Sequence, residues 1–152
     1  MLSTRSLTIG VAIASAVIAT VAWATPASLF VTTPLVRSTA AVRIEFKTHP
    51  HTMNDVQIQS VVGQPGGVSG WHSHPGYGIV AVRAGTATVY DADDPTCTPH
   101  PVNAGEVFTE EPGHAHFVRN EGSVPYEAFA TFILPVGVPS RTDEASSGNC
   151  PF

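Results

Sequence analysis

Glycine and proline interrupt this chain often, and no stretch beyond residue 24 shows a convincing helical period. Its 152 residues include 13 Gly and 13 Pro. Glycine is entropically costly inside regular elements, and proline removes a backbone donor and breaks helices. Between these breaks lie short segments of strand-like alternation. In Ala41–Lys47, the residues Val42, Ile44 and Phe46 share one face. Asp55–Val62 is rich in Val and Ile and ends at Gln64-Pro65-Gly66-Gly67. Ile79–Val82 leads through Ala84-Gly85 into Thr86–Tyr90, which predicts a hairpin, and Asp91–Pro101 reads as a loop. Glu106–Thr109, His114–Val118 and Tyr126–Leu134 are further strands, divided by Pro112-Gly113 and Asn120-Glu121-Gly122. Many short strands with turn signals between them predict an all-β sandwich or barrel over residues 41–135. The tail, 136–152, reads as irregular.

Composition narrows the function. Apolar residues make up 43% of the chain and charged residues 12%, enough to build a core. The net charge is −5, and none of the seven Lys and Arg adjoins another. Phosphate binding needs clustered cations, so nucleic acid is not expected as a partner. No nucleophile elbow and no phosphate-binding glycine loop occurs.

Residues 1–24 have the layout of an export signal. Arg5 precedes an apolar stretch from Leu7 to Val21, and Ala22-Trp23-Ala24 supplies the small-x-small cleavage pattern. An uncleaved anchor is the alternative, because the apolar run approaches the roughly 18 residues that span a bilayer. Cleavage would release a secreted, periplasmic or cell-envelope protein with no further membrane contact. Residues 25–40 then form a linker or a lead-in to the first strand. In an exported chain the two cysteines, Cys97 and Cys150, suggest a disulfide tying the tail to the body; two buried free thiols are the alternative.

The seven histidines carry the chemistry. On an extended segment, His72 and His74 place both imidazoles on one face, close enough to share a metal ion. His114 and His116 repeat the spacing at a later strand. Imidazole is a good ligand for Zn, Fe, Cu and Ni. Trp71 and Tyr77 flank the first pair; they either line a ligand pocket or close the barrel end. His49, His51 and His100 lie in proline-flanked segments and read as solvated.

Gly70-Trp71-His72-Ser73-His74-Pro75-Gly76-Tyr77-Gly78, followed by Gly85, resembles the first motif of the cupin superfamily. Gly105-Glu106 with Pro112-Gly113-His114-Ala115-His116 and Asn120 is similar to the second motif, with the proline displaced by one position. The ending Gly148-Asn149-Cys150-Pro151 is like that of small exported bacterial cupins. The resemblance implies a double-stranded β-helix, a jelly-roll barrel with a site in its mouth, and a chain able to form a homodimer. It implies His72, His74 and His116 as ligands of one divalent metal, with Fe, Zn, Cu, Mn and Ni undistinguished. The glutamate of the first motif falls on Gly78, which has no side chain. His114 and Glu111 are candidates for a fourth ligand, as are Glu106 and Glu110. Glu110 and Glu111, being adjacent on a strand, point to opposite faces.

The expectation is thus an exported cupin that holds a metal or a small-molecule ligand without established catalysis. The alternative is a metal-dependent, dioxygenase-like oxidoreductase acting on a small molecule, like the cupins with three-histidine iron centres.

Overall fold

A computed structural model of the chain describes residues 34–41, 43–45 and 53–152. The proposed signal segment, most of the lead-in, and His49 and His51 lie outside the described residues. Ten strands follow in chain order: β1 (Thr39–Ala40), β2 (Asn54–Gly63), β3 (His72–Ser73), β4 (Tyr77–Ala84), β5 (Thr86–Asp91), β6 (His100–Asn103), β7 (Glu106–Glu110), β8 (His116–Arg119), β9 (Tyr126–Pro135) and β10 (Thr142–Asp143). Among the described residues there is no helix, and so none long and apolar enough to cross a membrane.

The strands form two five-stranded sheets, ordered β1-β7-β4-β9-β2 and β10-β3-β8-β5-β6. All pairings are antiparallel except β1 with β7. The inward faces follow the two-residue period of a pleated strand. From β9, Tyr126, Ala128, Ala130, Phe132 and Leu134 are buried in alternation. They meet Val80 and Val82 of β4, and Val89 and Val118 of the opposite sheet, in one core.

The outer face of the second sheet is covered as well. Trp71, Tyr90, Phe117 and Cys150 form a second buried cluster. Phe152 stacks against it, with ring centroids 5.1 Å from Tyr90 and 5.0 Å from Phe117. The tail is held there by the Cys97–Cys150 disulfide and by Asn149 Nδ2, which donates to the carbonyls of Asp91 and Asp94. With both faces covered, the central residues of β5, Ala87 to Tyr90, are all buried.

Four local expectations are corrected. β4 and β5 do not form a hairpin: β4 pairs with β7 and β9, while β5 pairs with β6 and β8 in the other sheet. The chain changes sheets at Gly85, which has φ +69° and packs so closely on Pro125 that a Cβ would lie 2.6 Å from its carbonyl oxygen. A two-residue hairpin would instead have kept both strands in one sheet. Residues 100–103, expected within or beside a loop, form β6 on the edge of β5. The tail, read as irregular, contributes β10, which pairs Thr142 with Ser73 and Asp143 with His72. The strand expected over 41–47 is absent from the described part of that segment, Ala41 and Arg43 to Glu45; Val42, Phe46 and Lys47 lie outside the described residues.

Candidate metal centre

His72 and His116 are cross-strand partners where β3 meets β8. His74 lies two residues beyond His72, on the same side of the chain. All three are buried, and their ligand atoms lie within 4.8 Å of one another. At metal–nitrogen distances of about 2.1 Å, a small side-chain adjustment brings all three onto one ion.

The backbone sets the tautomer of each ring. His72 Nδ1–H donates to the Gly70 carbonyl at 2.9 Å, and His116 Nδ1–H donates to the His114 carbonyl at 3.1 Å. His74 Nδ1–H donates to the carbonyl of Ser140, 66 residues away in the tail. A carbonyl oxygen can only accept, so each Nδ1 carries its proton and, in the neutral ring that binds a metal, Nε2 is left with a lone pair. This is the outer-shell arrangement that orients metal-binding histidines and raises their basicity. Burial lowers the pKa of His72 from the ordinary 6.5 to about 4, with the nearby His116 adding to the effect. Burial also lowers His74. For His116 burial acts in the same direction, but the Glu110 carboxyl overrides it and the net shift is upward.

Glu110, the last residue of β7, is buried against two of these rings. Its Oε1 is 3.0 Å from His116 Nε2, and its Oε2 is 3.3 Å from His74 Nε2. Even so, His74 Nε2, His116 Nε2 and Glu110 Oε2 are buried without a hydrogen-bond partner. Buried polar atoms are costly to leave unpaired. A cation among them would satisfy all three, so the residues present fit a metal.

The other candidates lie elsewhere. The His114 side chain turns outward, with Nε2 3.1 Å from Asp93 Oδ1, and reaches the site only through its backbone carbonyl. Glu111 is exposed. Trp71, next to His72 in extended chain, points the other way into the second cluster, 5.4 Å from Phe117. Tyr77 alternates with the inward-facing Gly78 and Val80, so it faces outward from β4. His100 stands on the edge strand β6, 3.8 Å from Asp91.

Beside the histidines opens a cavity of about 200 Å³. Its apolar wall includes Val61, Phe108 and Phe132; Gln59, Ser69 and Arg141 add polar groups. Arg141 is braced by Asp143, at 2.7 Å from Nε, and by the Ser69 carbonyl, at 2.8 Å from Nη2. Sequence reading missed Ser140 and Arg141, because both come from the tail and the only local signal was its cysteine.

Residues 60–132 match a family model described as a cupin domain. An uncharacterized double-stranded β-helix protein from Klebsiella pneumoniae aligns at 22% identity and TM-score 0.50, covering 63% of this chain and 81% of that one. A cupin-like protein from Thermotoga maritima aligns at 23% identity and TM-score 0.50, covering 60% and 65%. The DMSP lyase DddQ from Ruegeria pomeroyi aligns at 19% identity and TM-score 0.52, covering 61% of this chain but 45% of its own. At such identities the likeness establishes the fold alone. No curated protein matches the sequence significantly.

Proposed function

Starting from the fact that this chain belongs to the cupin superfamily, we propose that it is an exported metalloprotein that binds a small molecule at a three-histidine centre. One observation carries this reading: each of the three histidines is tied to a backbone carbonyl through Nδ1, so all three present Nε2 lone pairs to a common point. His72, His74 and His116 would hold the ion. When bound, a divalent transition metal supplies a Lewis-acidic point for an oxygen or nitrogen of the ligand.

The rest of the site selects the ligand. A cavity of about 200 Å³ is below the roughly 300–1,000 Å³ of sites for drug-sized ligands, so the ligand is small. Phe108 and Phe132 favour an apolar body, and Arg141 favours an oxygen-rich or anionic end. Its guanidinium is held in place before a ligand arrives, which limits the ordering cost of binding.

Export is supported by the signal-like residues 1–24 and by a Cys97–Cys150 disulfide, which persists in oxidising compartments. The same pattern leaves the mature protein free of the membrane and able to meet extracytoplasmic ligands.

The deciding experiment is elemental analysis of untagged protein purified from an oxidising compartment, beside a His72→Ala/His74→Ala control. Near-stoichiometric metal that disappears in the control is the expected result. No metal in either protein, even after reconstitution, sinks the reading. If iron is found, metal-dependent oxygen uptake with a substrate would replace the binder by an oxidoreductase.

A further inference from the structure

We propose that Glu110 is the carboxylate ligand of this centre, supplied from β7 because the facing position on β4, residue 78, has no side chain. The proposal rests on the metal-centre reading above and adds to it a fourth ligand and a metal preference.

The two positions exclude one another. Gly78 and Glu110 are directly paired between β4 and β7. A Cβ on residue 78 would lie 2.5 Å from Glu110 Oε2, 3.2 Å from Glu110 Cβ and 2.9 Å from Phe132 Cε1. There is therefore room for one carboxylate at this point of the sheet pair, and β7 provides it.

The Glu110 carboxyl is also aimed at the centre. Its two oxygens face two different histidine nitrogens, at 3.0 and 3.3 Å, from a position 7% exposed. No lysine or arginine forms an ion pair with it among the described residues. A shared proton is the competing explanation. One proton on His116 Nε2 would satisfy one oxygen and leave His74 Nε2 and Glu110 Oε2 as lone pairs facing each other across 3.3 Å. A divalent ion accepts electron density from all of them at once. It also neutralises a carboxylate whose burial would otherwise be costly.

The added carboxylate changes what the centre prefers. Three neutral imidazoles suit Zn, Cu and Ni, whereas an oxygen anion in the set favours harder ions such as Mn(II) and moderates the charge left on the bound metal. Glu110 thus gives the site a basis for holding Mn(II) or Fe(II) that the histidines alone would lack.

The test compares full-length oxidised, metal-stripped wild type with Glu110→Gln and with the swap Gly78→Glu/Glu110→Gly. Mn(II) binding is read by loss of the free-ion paramagnetic resonance signal, and Zn(II) binding by calorimetry. Removing a direct ligand should cost at least the upper end of outer-shell effects, about 100-fold in Mn(II) affinity. The loss for Zn(II) should be smaller, and the melting temperature of the metal-free E110Q should not fall. Recovery of Mn(II) binding in the swap would establish that either strand can provide the carboxylate. E110Q conserves shape, so it decides the matter alone if the swap does not fold. Equal Mn(II) affinity in wild type and E110Q overturns this proposal and leaves the three-histidine centre standing. Failure of wild type to bind either metal overturns both.

Discussion

Gly78 and Glu110 face each other across the β4–β7 ladder, and the Glu110 side chain fills the space into which a side chain on residue 78 would project. The absence of a side chain at 78 is therefore a packing requirement. Gly78→Ala should destabilise the fold by about 1–3 kcal/mol, the usual cost of overpacking a filled core. It should also weaken metal uptake, because Glu110 must move. Thermal unfolding and a metal titration on the same variant check both effects; an unchanged melting temperature would mean that Glu110 yields freely.

The tail reaches the centre through Ser140, whose carbonyl orients His74, and its far end is anchored by Cys97–Cys150. Opening the disulfide should cost about 4 kcal/mol in the chain-entropy account of a loop this long. Metal affinity should fall in parallel, by about 10-fold, since an outer-shell partner is loosened. Denaturant unfolding and metal titration with and without reductant measure the two. Full metal affinity in folded, reduced protein would show that β10 alone holds Ser140 in place.

Acid should weaken the metal-free protein through His72. In the folded state its pKa is about 4, lowered mainly by burial, against 6.5 in the unfolded chain. Between those values the unfolded chain binds more protons, so stability falls as pH drops from about 6.5 to about 4 and the loss levels off below. His74 acts in the same direction, and His116, whose pKa is raised, acts in the opposite one. Comparing wild type with His72→Gln across this range isolates the contribution. Parallel stability–pH curves for the two proteins would exclude it.

Asn120 serves the fold, not the ion. It is fully buried, and its Nδ2 donates to the carbonyls of Gly63 at 2.7 Å and Val124 at 2.8 Å, while its Oδ1 accepts from Gly122 N–H at 3.0 Å. Asn120→Ala would orphan those groups at about 1–3 kcal/mol each where water cannot reach them. The expected total is about 3 kcal/mol lost in denaturant unfolding. In whatever fraction stays folded, metal stoichiometry should be unchanged.

Much of this protein was legible from local pattern. The alternation in β2, β4 and β9 marks strands because side chains on an extended chain point to opposite faces in turn. The same parity puts His72 and His74 together, and the motif around His116 picks out the third ring. The two cysteines had only each other as an intramolecular partner, and they are bonded.

What the sequence could not determine lies in contacts between residues far apart along the chain. Nothing local to Gly85 says that the strands on its two sides enter different sheets. Nothing near Glu110 says that it faces Gly78, 32 positions earlier, rather than solvent. The choice between Glu110 and its neighbour Glu111 is set by the register of β7 on β4, where a slip of one residue would exchange them. His74 acquires its orienting carbonyl from a tail residue 66 positions away. Periodicity is a property of the chain itself, so strands, turns and the histidine pair can be read from it. Register and sheet order emerge only when the whole core packs at once, and they decide which carboxyl meets the histidines.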